Sequence, residues 1–370
     1  MVKKIRVGVL TGGASAERDI SLATGAQIQR SLPSDTYDVV LLDPLAFMVH
    51  NPSLTESQRA QAVELLKGGG RLDPAHQLPK GLEREIETAS RTLVPATRVI
   101  ADSAEPLDVV LIALHGTWGE DGRIQGLLDT LGLAYTGSGV LASALAMDKV
   151  MAKTVLAAAG IDVPKGVVAR SAEGADLAAA RGLGLPVFVK PVAGGSSVGS
   201  RIVRDASELG PAITAALAFD ERALVEEYVE GRELTVAVIG NDELQALPVI
   251  EIVTKHQFFD YSAKYDSGES EEICPAQIPA SVANQAQEMA IAAHRALGCR
   301  GMSRTDIVWD PAAPHDTKAS RMVALEVNTI PGMTANSLLP KAAKAAGIGF
   351  GDLLTRLVGW ALEDAERRRR

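Results

Sequence analysis

The first forty residues alternate strand-like and helix-like segments, and this opening constrains the fold more than any other part of the chain. Ile5 to Leu10 is apolar and rich in β-branched residues, Thr11-Gly12-Gly13 ends it, and Glu17 to Ser31 has helical spacing. A second strand-like segment follows from Tyr37 to Leu42. Two strands joined through a helix form a βαβ unit, in which the strands are parallel. The chain is therefore predicted to begin with an α/β domain.

Length and charge narrow the remaining possibilities. At 370 residues the chain exceeds one ordinary core, so two or three domains are expected. A formal net charge of −9 argues against a nucleic-acid or anionic-membrane partner, and no apolar run reaches the length of a membrane span. The two cysteines, Cys274 and Cys299, show no metal-type spacing, which favours a reducing compartment. We therefore expect a cytoplasmic protein.

A glycine-rich loop lies between two predicted strands in the middle of the chain. Pro186 to Pro191 has a strand pattern, the loop runs from Gly194 to Gly199, and Ile202-Val203 begins the next strand. Glycines allow backbone N–H groups to approach a phosphate closely. Because it lies between two strands, the loop is predicted to be a β-hairpin flap rather than a helix-capping loop. From the loop alone, a plain glycine hairpin is the better interpretation. The P-loop pattern Gly-x-x-x-x-Gly-Lys-Ser/Thr does not occur in the sequence.

Two lysines precede this loop. Lys190 lies near the end of the strand before it, and Lys149 opens an alanine-rich helix one segment earlier. Each ammonium group could hold a phosphate oxygen as a point charge. Surface lysines are common, so a pair of solvated side chains stays the alternative from these residues alone.

Polar residues two apart interrupt two apolar strands near the C-terminus. Strand alternation directs Arg304 and Asp306 to one face, and it does the same for Glu326 and Asn328. If the strands are neighbours, two carboxylates, an amide oxygen and a guanidinium converge. Mg²⁺ is bound by such oxygen donors together with substrate phosphates. An ordinary half-exposed sheet face is the alternative, and it fits less well because the alternate positions are apolar.

With a flap, two lysines and this polar cluster in place, the chain resembles the D-alanine–D-alanine ligase family of the ATP-grasp superfamily. The segments that carry the resemblance follow one another along nearly the whole sequence. They are Thr11 to Arg18 with Ser21, His115 to Gly122, Tyr135 to Gly139, Met147-Asp148-Lys149, Val189 to Gly199, Asp260 to Tyr265, Arg304-Thr305-Asp306, Glu326 to Thr334 and Ser337-Leu338. Residues 44–106 match no motif, and Thr305 is polar where the family pattern has an apolar residue.

The resemblance implies an ATP-grasp fold, which combines α/β and α+β domains. It divides the chain into an N-terminal Rossmann-like domain (1–137), a central lobe with the glycine-rich flap (138–226) and a C-terminal lobe (227–370). Two Mg²⁺ ions, replaceable by Mn²⁺, and ATP as a substrate are implied. The polar segment 258–272 is predicted to be a mobile loop that covers the site.

The resemblance also assigns a role to individual residues. In catalysis it places Glu17 at the ammonium of the first D-alanine, Ser196 and Tyr265 beside it, and Arg304 and the Gly332 amide at the tetrahedral oxyanion. The substrate-binding residues are His115, Lys264, Ser337 and Leu338. The ATP-binding residues are Lys149, Lys190, Ser197, Glu226, Glu227, Val229 and Glu233. The metal ligands are Asp306, Glu326 and Asn328.

The implied activity is the ATP-dependent joining of two D-alanines through D-alanyl phosphate, for peptidoglycan precursor synthesis, by a homodimer. A D-alanine–D-lactate ligase of the same fold is an alternative. A non-catalytic nucleotide-binding regulator is less consistent with the sequence, because all three predicted metal ligands are present. A Rossmann oxidoreductase would need Gly-x-Gly-x-x-Gly after the first strand, and the sequence there is Thr11-Gly12-Gly13.

Overall fold

The computed structural model describes residues 3–13, 18–44, 56, 94–95, 106–116, 118–194, 199–254, 270–312 and 321–368. The predicted βαβ opening is present, with β1 (Ile5–Leu10) and β2 (Tyr37–Asp43) parallel on either side of α1 (Arg18–Ser31). Further parallel strands complete a sheet of order β3-β2-β1-β4-β5. Those strands are β3 (Val94–Pro95), β4 (Val109–Ile112) and β5 (Ala134–Tyr135).

The N-terminal sheet is the centre of the largest apolar core of the described chain. Every residue of β4 is fully buried, as a parallel strand covered on both faces requires. Helices from both ends of the sequence pack in this core, so the C-terminus is folded back onto the first sheet. Helix α2 (Arg123–Thr130) connects β4 to β5. The two C-terminal helices that pack in this core are α8 (Leu338–Ala345) and α9 (Phe350–Arg368).

A second, antiparallel sheet has the strand order β6-β9-β7-β8. The glycine-rich loop joins β7 to β8, which are antiparallel neighbours, so the predicted position of the loop between two strands is confirmed. Residues 195–198 of the loop lie outside the described residues. Small apolar residues of two helices and of this sheet form a separate core. The elements of this part are α3 (Val140–Met147), α4 (Lys149–Ala158), β6 (Gly166–Ala169), α5 (Gly174–Arg181), β7 (Val187–Pro191), β8 (Arg201–Val203), α6 (Leu209–Leu217) and β9 (Ala223–Glu227).

The third sheet is also antiparallel, with the order β13-β12-β10-β14-β15 and the short β11 paired to β10. Helix α7 packs its alanine-rich face on this sheet. The elements are β10 (Arg232–Gly240), β11 (Gln245–Ala246), β12 (Ile250–Thr254), β13 (Ser270–Ile273), α7 (Ala280–Ala296), β14 (Gly301–Asp310) and β15 (Arg321–Asn328). The division at residues 137 and 226 stays a prediction.

One expectation from the sequence changes in detail. Ser270 to Glu272 were predicted to end a mobile loop, but they pair with β12 in a strand. The rest of that loop lies outside the described residues. Among the described residues, no helix is both long and apolar enough to cross a membrane.

Candidate active site

The two strands predicted to share a polar cluster are antiparallel neighbours. Asp306 on β14 lies opposite Glu326 on β15, and Arg304 lies opposite Asn328. Residues directly opposite in a sheet have Cβ atoms roughly 4.5–5.5 Å apart. The register of the two strands shifts between Asp306 and Ile307. The residue pairs before this point are therefore offset from the pairs after it. The strands therefore bring together the four polar residues that the sequence analysis expected to converge.

Asp306 is held by two neighbours. Arg304 Nε and Nη2 donate to its two carboxylate oxygens at 2.9 Å each, and Thr235 Oγ1 donates to Oδ1 at 2.6 Å. Both members of the ion pair are buried. A bidentate guanidinium fixes the plane of a carboxylate. The polar cluster is thus a preorganised group of charges inside a strand pair.

The donor set fits a hard divalent cation. Asp306 and Glu326 supply carboxylate oxygens, and Asn328 supplies an amide oxygen that also accepts from Ile330 N at 3.0 Å. Within the part of the chain that the structure describes, no group of three or more His, Cys, Asp or Glu side chains forms a metal cage. Mg²⁺ does not need such a cage, because it takes its other ligands from water and substrate phosphates.

Lys149 connects this cluster to the flap. Its Nζ donates to the Gly194 carbonyl at 2.6 Å and lies 3.8 Å from Glu326 Oε2. The lysine opens α4, whose N-cap Asp148 accepts from the first backbone amides and pairs with Arg222 at 2.7 Å. The cap fixes the start of the helix, so the ammonium group stands between the base of the flap and the carboxylates.

Lys190 lies in a second buried charge cluster. Its Nζ is 2.6 Å from Glu226 Oε1, while Lys153 Nζ is 2.9 Å from Oε2 of the same carboxylate. Burial raises the pKa of Glu226, but the two lysines outweigh it and hold that pKa below its usual value. Burial, opposed by Glu226, lowers the pKa of Lys153 to about 8. Lys153 was not predicted from the sequence; its spacing of four from Lys149, one turn along the same helix face, was the available signal.

The other predicted ATP residues that the structure describes lie between the end of β9 and the start of β10, where the chain passes from the second sheet to the third. Glu227 ends β9, pairs with Arg321 and accepts from Lys165 N at 3.0 Å. Val229 follows in the connecting segment, and Glu233 lies near the start of β10, opposite Val308. A nucleotide held by these residues would span both ATP-grasp lobes.

A tight turn after β15 brings together Gly332, Ser337 and Leu338. Ser337 is the N-cap residue of α8, and its Oγ interacts with Thr334 Oγ1 at 2.7 Å. A Cβ added to Gly332 would lie 2.9 Å from Ser337 Oγ, so only glycine fits without displacing that side chain. Backbone amides in the first turn of a helix have no acceptor within the helix, so they suit a carboxylate. The predicted second-substrate residues are therefore adjacent in the structure.

The loops after β1 and β4 meet at the carboxyl end of the N-terminal parallel sheet. Ser21 Oγ accepts from Gly12 N at 2.9 Å and donates to the Ala113 carbonyl at 2.6 Å, which joins the two loops. A buried ion pair between Arg18 and Asp43, at 2.8 Å, braces the first loop. His115 follows β4 and is buried at this junction. Ligands of open parallel sheets bind at the carboxyl ends of the strands, where these loops lie.

The roles of all the predicted site residues stay predictions, and some of these residues lie outside the described residues. Those outside are Glu17, Ser196, Ser197, Lys264 and Tyr265. All of the other predicted site residues are described.

Three features together define an ATP-grasp ligase. They are the N-terminal parallel sheet, the β7–β8 hairpin with lysines near its loop, and the antiparallel sheet that carries the carboxylates. Within that class, two family models match the chain. The model described as "D-ala D-ala ligase N-terminus" matches residues 6–138, and the one described as "D-ala D-ala ligase C-terminus" matches residues 155–359. The chain therefore belongs to the D-alanine–D-alanine ligase family.

Curated relatives agree over the full length. D-alanine–D-alanine ligase of Syntrophobacter fumaroxidans is 44% identical over 365 residues, which cover 98% of this chain and 99% of the relative. The enzyme of the same name from Geobacter sulfurreducens is 40% identical over 358 residues, 96% of this chain and 94% of the relative.

Solved structures resemble the chain to a similar extent. The VanG D-Ala:D-Ser ligase of Enterococcus faecalis has a TM-score of 0.77 and 30% identity, covering 97% of this chain and 100% of its own. The D-alanine–D-alanine ligase of Bacillus anthracis complexed with ATP has a TM-score of 0.71 and 30% identity, covering 99% of both chains. Both likenesses confirm the predicted fold class.

Proposed function

We propose that the protein uses ATP to join two D-alanine molecules into D-alanyl-D-alanine for peptidoglycan precursors. The observation that carries the proposal is the register of Asp306 against Glu326, with Arg304 beside them and Lys149 of α4 close to Glu326. This arrangement places acidic oxygens, a guanidinium and an ammonium around one small volume. Family membership supports the choice of D-alanine as the substrate.

The first step converts a poor acylating agent into a good one. A carboxylate oxygen of the first D-alanine attacks the γ-phosphorus of ATP, the bond to the β-phosphate oxygen breaks, and ADP leaves. Catalysis of such a transfer is mainly positioning and charge neutralisation. In our proposal Lys149 and Lys190 hold phosphate oxygens. Asp306, Glu326 and Asn328 would hold two Mg²⁺ ions, which neutralise phosphate charge when bound.

The second step forms the peptide bond. The neutral amine of the second D-alanine attacks the carbonyl carbon of D-alanyl phosphate, and the nitrogen then loses a proton. The tetrahedral adduct carries a negative oxygen, which Arg304 and the Gly332 amide would stabilise in our proposal. Breaking the bond between that carbon and the phosphate oxygen releases inorganic phosphate. The amide at Leu338 and the hydroxyl of Ser337 would hold the carboxylate of the second D-alanine.

A reactive acyl phosphate must be kept from water. We propose that segment 258–269 provides this cover, with Lys264 and Tyr265 reaching the substrates. The strand β13 that follows anchors the segment at its C-terminal end, and Glu272 in that strand pairs with Lys341 of α8. The cover would therefore be tied to the helix whose first residues would bind the second substrate.

The test is phosphate release with ATP, Mg²⁺ and D-alanine, followed by mass analysis of the product. The proposal predicts one dipeptide per phosphate. D-lactate and D-serine are added in competition, because the ester and the mixed dipeptide are the products of the alternative ligases. Phosphate release without D-alanyl-D-alanine would contradict the acceptor assignment. Nucleotide binding with no phosphate release under any of these conditions would favour a regulator.

We further propose that the enzyme acts in the cytoplasm as a homodimer, as the family resemblance implies. Light scattering of the purified protein during size-exclusion chromatography tests the second statement. A mass of one chain at working concentrations would contradict it.

A further inference from the structure

Two buried lysines share one buried glutamate beside the nucleotide site. Lys190 and Lys153 each contact a different oxygen of Glu226, at 2.6 and 2.9 Å. All three side chains are more than nine-tenths buried. The cluster thus carries two potential positive charges against one negative charge in a region of low solvent access.

This imbalance has a consequence for nucleotide binding. Buried charges are stable only when they are paired. If Lys190 turns its ammonium group from Glu226 to a phosphate oxygen, Glu226 keeps a partner only because Lys153 is there. Without Lys153, the same movement would leave a buried carboxylate with no counter-ion, so Lys190 would stay on Glu226.

We propose that Lys153 is a positioning residue, which holds Glu226 and thereby frees Lys190 for the nucleotide phosphates. The inference rests on the proposed function, in which Lys190 binds phosphate. Lys153 has no role in the family resemblance described above. The sequence places it on α4 one helical turn after Lys149, so the helix presents one lysine to the flap and carboxylate cluster and the other to Glu226.

The burial of Lys153 agrees with this role. A lysine whose pKa falls to about 8 by burial is held in its charged form by Glu226. Glu326 adds a weaker attraction, and Lys190 a repulsion that a phosphate at Lys190 would relieve. The two lysines therefore carry more positive charge than Glu226 balances, and an anion next to Lys190 would balance the excess.

The experiment measures binding of ADP with Mg²⁺ by calorimetry, so it does not depend on turnover. Lys153→Met removes the charge while keeping a long apolar stem. Lys344→Met is the control, because Lys344 is an exposed lysine on α8. Lys153→Met is expected to weaken ADP binding by about tenfold to a hundredfold. The control is expected to bind like the wild type.

A double variant separates this role from simple loss of packing. Glu226→Gln carries a neutral amide that no longer retains Lys190, so Lys153→Met should have no further effect on ADP affinity in this background. Any contact of Glu226 with the nucleotide is lost equally from the single Glu226→Gln variant and from the double variant. Damage to packing would instead add the two losses. Thermal unfolding establishes that each variant is folded. Lys153→Arg keeps the positive charge and should bind ADP like the wild type, so it also tests the inference if Lys153→Met does not fold.

Each outcome decides the question. Wild-type affinity in Lys153→Met, a loss of affinity from Lys153→Met that persists in the Glu226→Gln background, or loss of binding in a folded Lys153→Arg overturns the inference. A wild-type protein that binds no nucleotide overturns the proposed function, and the inference with it.

Discussion

Asp306 and Glu326 face each other across two neighbouring antiparallel strands, at the position where the register of the pair shifts. One carboxylate is fixed by Arg304 and the other lies 3.8 Å from the ammonium group of Lys149. The two acids therefore occupy different environments although they are direct neighbours in the sheet. This relationship connects the third sheet to the flap of the second, and the proposed chemistry depends on it.

The first prediction concerns Glu326. Replacing it in Glu326→Gln removes one carboxylate charge from the cluster and leaves the strand register unchanged. We expect turnover to fall by at least about a hundredfold, with an unchanged unfolding curve. The control is Glu243→Gln, an exposed glutamate between β10 and β11, which should keep full activity. Full activity of Glu326→Gln at saturating Mg²⁺ would remove Glu326 from the site.

The second prediction concerns segment 258–269. A ligand set that closes the site shifts the population toward the covered state by its differential affinity. Proteolysis in this segment should be slower with a non-hydrolysable ATP analogue, Mg²⁺ and a D-alanine analogue than in the free protein. Cleavage sites are assigned by mass spectrometry. Equal cleavage rates with and without ligands would show that the segment does not cover the site.

The third prediction concerns stability and pH. His294 is buried on α7, with its Nδ1 at 2.7 Å from Ser303 Oγ. Burial, assisted by Arg295, lowers the pKa of His294 to about 4. The unfolded chain binds this proton more readily than the folded one. Stability from this group is therefore complete above the ordinary pKa of about 6.5 and falls as pH drops toward the folded value.

Urea unfolding measures the effect. Between about pH 7 and about pH 5, the wild type should lose about 2 kcal/mol more unfolding free energy than His294→Gln. Other titrating groups are common to both proteins and cancel in this comparison. Parallel pH profiles for the two proteins would show that His294 is not held in its neutral form by the fold.

The fourth prediction concerns the acceptor. The resemblance places Tyr265 where depsipeptide ligases carry a loop with histidine, so the second subsite gains no added titrating cation. D-lactate has a net negative charge and a weakly nucleophilic hydroxyl, and it would benefit from such a cation. We expect D-alanyl-D-alanine as the product from about pH 6 to about pH 9, even with D-lactate in excess. Substantial D-alanyl-D-lactate near the lower limit would contradict this specificity.

Strand alternation predicted which polar residues of β14 and of β15 share a face. Arg304 and Asp306 share a face because they are two residues apart, and the same holds for Glu326 and Asn328. The pairing of the two strands was only an assumption in the sequence analysis, and the structure confirms it. The flap was also predictable, because a glycine-rich loop between two strand patterns has few other arrangements.

Other features depend on contacts that a single sequence does not contain. Arg18 and Asp43 form a buried pair although they lie 25 residues apart. Lys153 looks like a solvated lysine of an alanine-rich helix until β9 places Glu226 against it. In both cases burial of a charge is decided by packing between distant segments. The four-residue spacing of Lys149 and Lys153 indicates only that they share a helix face.

In the proposed reaction, D-alanine is activated as an acyl phosphate before the peptide bond forms. In that reaction a carboxylate oxygen of the first D-alanine becomes part of the released phosphate. The direct measurement uses D-alanine labelled with ¹⁸O in its carboxylate, together with ATP and Mg²⁺, and analyses the inorganic phosphate by mass spectrometry. We predict one ¹⁸O atom in the phosphate for each D-alanyl-D-alanine formed. Dipeptide accompanied by unlabelled phosphate would contradict the account.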